Sequence, residues 1–305
     1  MTSFSVVAWR KVWYVLSAFM IVASILALAV WGLRQGIEFT GGSLLVIRFE
    51  NRPAPAEAAA TLQKTPNIEV GSVVAQPVGD ADIQFRLRSL DGDESRAVVD
   101  HLKGAYANSS ELRFDAIGPV VGKELRQKSV QGLVVILIAI LLYVAYAFRK
   151  VSFPVKSWKY GLITLFTAFH DVIVPAGVFA VLGHFYGLEI GTPFIAAILT
   201  IMGYSITDTI VVMDRIRENL QKMSGTFESV VEASIRQTFL RSFNTSVTVL
   251  LTLAAIFFFG GSSLHDFTLA LIIGIAVGTY SSIFVASPLL VTWDTHSRSK
   301  TNQKK

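Results

Sequence analysis

Gly203-Tyr-Ser-Ile-Thr-Asp208-Thr-Ile-Val-Val-Met-Asp214-Arg-Ile-Arg-Glu-Asn219 joins an apolar run to a charged one, and its reading decides the fold. The run that ends in it, Ile190 to Met213, holds 24 residues. At about 1.5 Å per residue that length crosses a hydrocarbon core of about 30 Å. Asp208 lies inside the run. A carboxylate at such depth costs about 2.5–3.5 kcal/mol on insertion scales, so it is hydrogen-bonded to a neighbour, protonated or used. Helical spacing puts Tyr204 and Ser205 four and three residues before it, which predicts a polar face around Asp208. After Met213 the apolar run breaks into a charged segment.

Composition agrees with a membrane protein. Of 305 residues, 52% are apolar and 16% charged, too apolar for an ordinary soluble domain. Mean hydropathy is +0.53. There is no cysteine, hence no disulfide framework and no thiolate metal site. The first apolar run, Val12 to Leu33, holds 22 residues with Trp13 and Trp31 near its ends and no small-residue cleavage pattern. It is expected to stay as a spanning helix with interfacial tryptophans.

Five further apolar runs, Val130 to Phe148, Tyr160 to Gly183, Ile190 to Met213, Ser242 to Gly261 and Phe267 to Trp293, bring the expected spans to six. Lys and Arg fall on one side of them. Fifteen lie before span one, between spans two and three, between spans four and five, and in the tail; the short loops His184 to Glu189 and Ser262 to Asp266 hold none. That asymmetry predicts cytoplasmic termini.

The intervening Arg34 to Ser129 would then face outward, and its 12 basic and 13 acidic residues read as a soluble domain. Expected are a strand at Glu38 to Phe49, a helix at Ala54 to Lys64, strands at Glu69 to Ala75 and Ile83 to Leu87, a helix at Glu94 to Tyr106 and a strand at Glu111 to Ile117. That order suggests a ferredoxin-like α+β domain, either a structural cap or a binding module. The divisions read from the sequence are therefore 1–33, 34–129, 130–293 and a basic tail at 294–305. Gly41-Gly42 is not followed by Gly-Lys-Ser/Thr, so a bulge or close backbone approach is expected there, not a phosphate loop. Pro119, Gly122 and the charged turn Lys123 to Lys128 read as the junction into span two.

Other polar residues fall within the spans. Thr164, Thr167 and Asp171 share one face of span three, and His170 adjoins Asp171. These serve either a proton relay or interhelical bonding, the latter stabilising by roughly 0.6–2 kcal/mol. In span five Arg241, Asn244 or Thr245, Thr248 and Thr252 form a polar stripe. In span six Gly274, Gly278, Ser282 and Ala286 recur every fourth residue, a ridge for close helix packing. Asp208 is not in the Gly-x-Gly-Asp setting of intramembrane aspartyl proteases, His-Glu-x-x-His is absent, and no metal set appears. A filter or charged ring is also missing, which disfavours a channel and leaves transport or energy coupling.

Gly36-Ile-Glu-Phe-Thr-Gly-Gly-Ser43, Gly118-Pro-Val-Val-Gly-Lys-Glu-Leu125, Phe169-His-Asp171, Gly203 to Asn219, Arg241-Ser-Phe-Asn-Thr-Ser246 and Gly278 to Pro288 together closely resemble the SecF family of protein-export membrane subunits. The likeness runs in order along nearly the whole chain. Thr207 stands where the family often has Asn, and Met213 where it often has Phe.

The resemblance implies the resistance-nodulation-division superfamily and a multi-pass protein of the cell inner membrane. Implied partners are a SecD-like subunit, the SecYEG channel, preprotein substrate and membrane lipid, with no nucleic acid. It implies no enzymatic activity and no cofactor, protons serving as the coupling ion for preprotein translocation. Asp208 then resembles the protonatable carboxylate and Arg241 the arginine acting with it. His170, Asp171, Ser205, Thr207, Asn244 and Thr248 are candidates for relay or structural polar contacts, and Asp214, Arg215 and Arg217 for a cytoplasmic-end coupling motif. Gly274, Gly278 and Ser282 are candidates for packing. The alternative is half of a proton-driven small-molecule or lipid exporter of the same superfamily, though such exporters generally carry both halves in one chain.

Overall fold

The computed structural model describes residues 5–147 and 157–302. Arg149, Lys150, Lys156, Lys304 and Lys305, which entered the charge asymmetry, lie outside the described residues. The chain opens with α1 (Arg10–Trp31), then α2 (Ile37–Thr40), β1 (Gly42–Arg48), α3 (Pro55–Gln63), β2 (Val74–Val78), β3 (Asp82–Leu87), α4 (Gly92–Ala105) and β4 (Ser110–Ile117). It continues with α5 (Pro119–Ala147), α6 (Ser157–Tyr186), α7 (Thr192–Lys222), α8 (Phe227–Phe259), α9 (Ser262–Ser281), a π-helical turn at Ser282–Ala286 and α10 (Ser287–Asn302). Among the described residues six segments are long and apolar enough to cross a membrane: α1, Pro119–Val144, Trp158–Tyr186, α7, α8 and Leu264–His296. This is a multi-pass helical membrane protein carrying one small antiparallel sheet.

Two compact units emerge. One comprises residues 34–131 together with 189–192; the other takes the remaining chain. In the smaller unit the strands run in the order β2-β3-β1-β4, all antiparallel, which with α3 and α4 is the expected ferredoxin-like arrangement. Alternate residues supply its core: Leu45, Ile47 and Phe49 from β1 and its end, Ile83, Phe85 and Leu87 from β3. Ala58 and Leu62 of α3 and Val98, Val99 and Leu102 of α4 complete it. The α4 start is fixed by a capping box, in which Asp91 accepts from the Asp93 and Glu94 N–H groups and Glu94 accepts from the Asp91 N–H.

Two expected strands change. The one placed at Glu38 to Phe49 starts only at Gly42, because Ile37–Thr40 closes a helical turn and the chain reverses through Gly41 at φ 74° and Gly42 at φ 130°. There is no room for side chains there: a Cβ on Gly41 would lie 2.7 Å from Pro119 Cα, and one on Gly122 would lie 2.8 Å from the Gly41 nitrogen. The strand expected at Glu69 to Ala75 is displaced to Val74–Val78, since Asn67 and Gly71 hold positive φ and keep the preceding segment in turns. Pro77 is tolerated in β2 because that strand is an edge.

The spans also extend further than hydropathy indicates. The charged turn Lys123 to Lys128 is part of α5, which begins at Pro119. The helix outlasts the apolar run: α7 continues past Met213 through Lys222, carried by ion pairs Arg217 to Asp214 (2.8 Å), Arg215 to Glu218 (2.7 Å) and Lys222 to Glu218 (2.6 Å) at helical spacing. Fifteen residues before Ser242, α8 already starts at Phe227, where the Thr226 hydroxyl accepts from the Ser229 N–H. The sixth span is interrupted by the π-helical turn that begins at Ser282.

Candidate functional site

The helical bundle is knitted by close approaches that sequence periodicity only partly marks. A Cβ on Gly177 of α6 would meet Ser24 Cα of α1 at 2.4 Å, and one on Gly274 of α9 would meet Ile201 Cδ1 of α7 at 2.1 Å. Gly278 likewise faces Ser205, and the Ser282 hydroxyl bonds the Thr209 hydroxyl at 2.9 Å. The ridge Gly274, Gly278, Ser282 is therefore occupied by α7 of the same chain.

α7 carries the polar residues of its buried stripe at helical spacing: Ser205, Thr209 and Asn219, among Ile198, Ile201, Val212 and Ile216. The two acidic residues of spans three and four sit in opposite surroundings. Asp171 of α6 is 0% exposed. Its Oδ1 lies 2.8 Å from His170 Nδ1, and its Oδ2 accepts from Ser281 Oγ at 2.7 Å and from Ser205 Oγ. Three helices thus meet on one carboxylate. His170 is equally enclosed, its Nε2 without a hydrogen-bond partner among the described residues. Thr164 and Thr167, on the same face, donate instead to the carbonyls of Tyr160 (2.9 Å) and Ile163 (3.1 Å).

Asp208 is only partly buried. Ser242 of α8 donates to its Oδ1, and Oδ2 has no partner among the described residues. The carboxylate lines a groove of about 370 Å³ shared with Thr200, Tyr204, Thr207, Arg241 and Thr245. Arg241 is exposed and forms no ion pair among the described residues. The expected polar face around Asp208 is redistributed, because Ser205 turns to Asp171 and Tyr204 bonds Ser246 at 3.0 Å. Thr207 and Thr248 are exposed and return their hydroxyls to the carbonyls of Gly203 (2.8 Å) and Asn244 (3.1 Å); Asn244 is exposed beside them. Such back-bonding satisfies a hydroxyl in lipid without requiring a partner.

Comparison with known proteins follows the same lines. The family described as protein export membrane protein SecD/SecF, C-terminal, matches residues 97–296, and the SecD/SecF GG motif matches residues 27–51. The chain belongs to the SecD/SecF family. It is 42% identical to the protein translocase subunit SecF of Thermobaculum terrenum, covering 95% of this chain and 93% of that one. It is 37% identical to the protein translocase subunit SecDF of Thermus thermophilus, over 95% of this chain but 39% of that longer protein. The crystal structure of SecDF from Thermus thermophilus, described as a translocon-associated membrane protein, superposes with a TM-score of 0.83 at 34% identity, over 96% of this chain and 39% of that one. A SecDF crystal structure in a super-membrane-facing form gives 0.70 at 33% identity, over 99% and 40% respectively.

Within this SecD/SecF chain some polar contacts escaped the sequence. Ser242 and Ser281 hold the two aspartates, yet a serine in an apolar helix carries no signal for its partner. Asn219 donates from Nδ2 to Ser234 Oγ at 2.9 Å and Gln237 Oε1 at 3.0 Å, pinning the end of α7 to the start of α8. Glu232 accepts from the N–H groups of Val6 (3.3 Å) and Val7 (3.0 Å) and from Ser5 Oγ (3.0 Å), fastening the segment that leads into α1.

Proposed function

We propose that this chain is the SecF-type half of a proton-driven translocation unit in the cytoplasmic membrane, with both termini inside. It pairs through the membrane with a SecD-like half, works beside the SecYEG channel and spends the proton motive force on moving preprotein outward. Asp208 takes up and releases the proton, and Arg241 responds to its charge. The observation carrying this reading is the contrast between the two aspartates: Asp171 is held by three hydrogen bonds, while Asp208 has one, leaves its other oxygen buried without a partner among the described residues, and lines a groove that also holds Arg241. The family's fused SecDF members supply the reason to expect a SecD-like partner. The exposed Asn244 of α8 gives that partner a polar contact in the membrane that lipid alone would serve poorly.

The test is export of a preprotein into inside-out vesicles with and without an uncoupler, at equal membrane levels of each variant. Asp208→Asn keeps size and hydrogen bonding but cannot titrate; it is expected to assemble with its partner and lose the uncoupler-sensitive stimulation. Arg241→Met is expected to weaken the same stimulation. Full stimulation in Asp208→Asn alongside loss in Asp171→Asn would move the proton site to α6.

A further inference from the structure

Residues 189–192 leave the helical bundle and belong to the outer unit, although they connect α6 to α7. The segment is built into that unit by backbone pairing: the Gly36 N–H donates to the Ile190 carbonyl and the Ile190 N–H to the Arg34 carbonyl, each at 2.8 Å. Side chains reinforce it, since Glu189 pairs with Arg86 of β3 and lies 3.4 Å from Arg34. The outer unit is thus joined covalently to α6 and α7 as well as to α1 and α5, and α7 is the helix that bears Asp208.

One contact fixes where that helix begins. A Cβ on Gly191 would fall 1.7 Å from Glu38 Oε2 and 2.6 Å from Glu38 Cδ, so the carboxylate lies directly on the glycine. The φ of Gly191 is not in the left-handed region, so the glycine is required for space alone. The backbone N–H of Thr192, first residue of α7, faces the same carboxylate as a donor. Glu38 itself stands in the helical turn before Gly41-Gly42. Free N–H groups at a helix start favour an acidic neighbour, here supplied from 153 positions earlier in the chain.

We propose that Glu38 is a positioning residue: laid on Gly191, it holds residues 189–192, and with them the first residue of the helix that bears Asp208, against the turn Ile37–Thr40. The seating is structural, and its consequence for transport rests on the proton-driven reading above. Charged groups surround it from every side of the unit: Arg86 on β3, Arg113 and Asp115 on β4, and Glu189 beside it in the connecting segment. Burial raises the Glu38 carboxyl above the usual range, against the pull of the Thr192 N–H and of Arg113 and Arg86. A seated carboxyl that holds its proton more tightly than a solvated one is favoured in its seat as pH falls and loosened as pH rises through that raised value.

The experiment uses the full chain with its partner in lipid nanodiscs and reads hydrogen exchange at the Thr192 and Phe194 amides, corrected for intrinsic rates. Glu38→Ala and Gly191→Ala are each expected to speed exchange by about tenfold. The double variant is expected to exchange no faster than Glu38→Ala alone, because the two changes remove one contact. Protection in the unsubstituted chain should grow toward acid, and Glu38→Gln should abolish that dependence. Additive effects in the double variant, or unchanged exchange in Gly191→Ala, would overturn the seating. Export with and without uncoupler is measured on the same variants. Absence of any uncoupler-sensitive stimulation in the unsubstituted chain would refute the proton-driven reading while leaving the exchange result standing.

Discussion

Replacing Asp171 separates a bonding carboxylate from a proton carrier. Its two oxygens serve three partners, His170 Nδ1, Ser205 Oγ and Ser281 Oγ, on three helices, and the side chain is fully enclosed, so no solvent screening reduces the effect. Hydrogen bonds within membranes average about 0.6 kcal/mol and reach about 1.7 kcal/mol. Asp171→Ala loses all three and is expected to cost about 2–5 kcal/mol. Asp171→Asn keeps the shape and one carbonyl oxygen, and its NH₂ group can donate to a serine hydroxyl. Ser281 already has a second acceptor, the Gly278 carbonyl at 3.1 Å, toward which its hydrogen can turn. The Asn variant should therefore lose about one bond, or about 1 kcal/mol. Reversible unfolding in mixed detergent micelles, followed by circular dichroism, measures both. Equal costs for Ala and Asn would refute the hydrogen-bond account. An Asn variant of near-normal stability that has lost uncoupler-sensitive export would show that Asp171 titrates in the cycle.

Other outcomes follow from the packing. Gly177→Ala should destabilise more than Gly274→Ala, each by about 1–3 kcal/mol, because the first presses on the Ser24 backbone while the second meets the movable end of Ile201; the same unfolding assay ranks them. Asp91→Ala removes the cap of α4 and should cost about 1 kcal/mol of the smaller unit's stability, read by denaturant unfolding of the intact chain with a fluorophore in that unit.

The sequence displays whatever is written along one helix or strand. Six apolar runs and the alternation at Ile83 to Leu87 are local patterns, and the corresponding elements occur where they point. Helix ends in α7 and α8 were hidden because hydropathy marks where lipid ends, while the helix goes on as long as its ion pairs and caps sustain it. The stretch before Gly42 has the β-branched and apolar content of a strand, whereas the two glycine dihedrals decide its conformation. Partners between helices were the least visible. Asp171 with Ser205 and Ser281, Asp208 with Ser242, and Glu38 with Gly191 join positions 34 to 153 residues apart, and nothing in the spacing of a single chain relates them.

Energy sets which carboxylate can cycle. Moving one charge through about 150 mV supplies roughly 3.5 kcal/mol. A group that is to change state on that supply must be held by less than it. Asp171, with three enclosed bonds at about 0.6–1.7 kcal/mol each, is held by about 2–5 kcal/mol, the same order as the supply. Asp208 has a single bond, from Ser242, worth at most about half of it. Asp208 also sits 16 residues along α7 from Thr192, about 24 Å of continuous helix at 1.5 Å per residue. Such a helix has few soft internal degrees of freedom, since every interior residue is fixed by its backbone ladder. On the proposed reading the weak hold on Asp208 and the close seat at Gly191 are complementary requirements of one rod: it must release easily at its middle and be gripped firmly at its outer end.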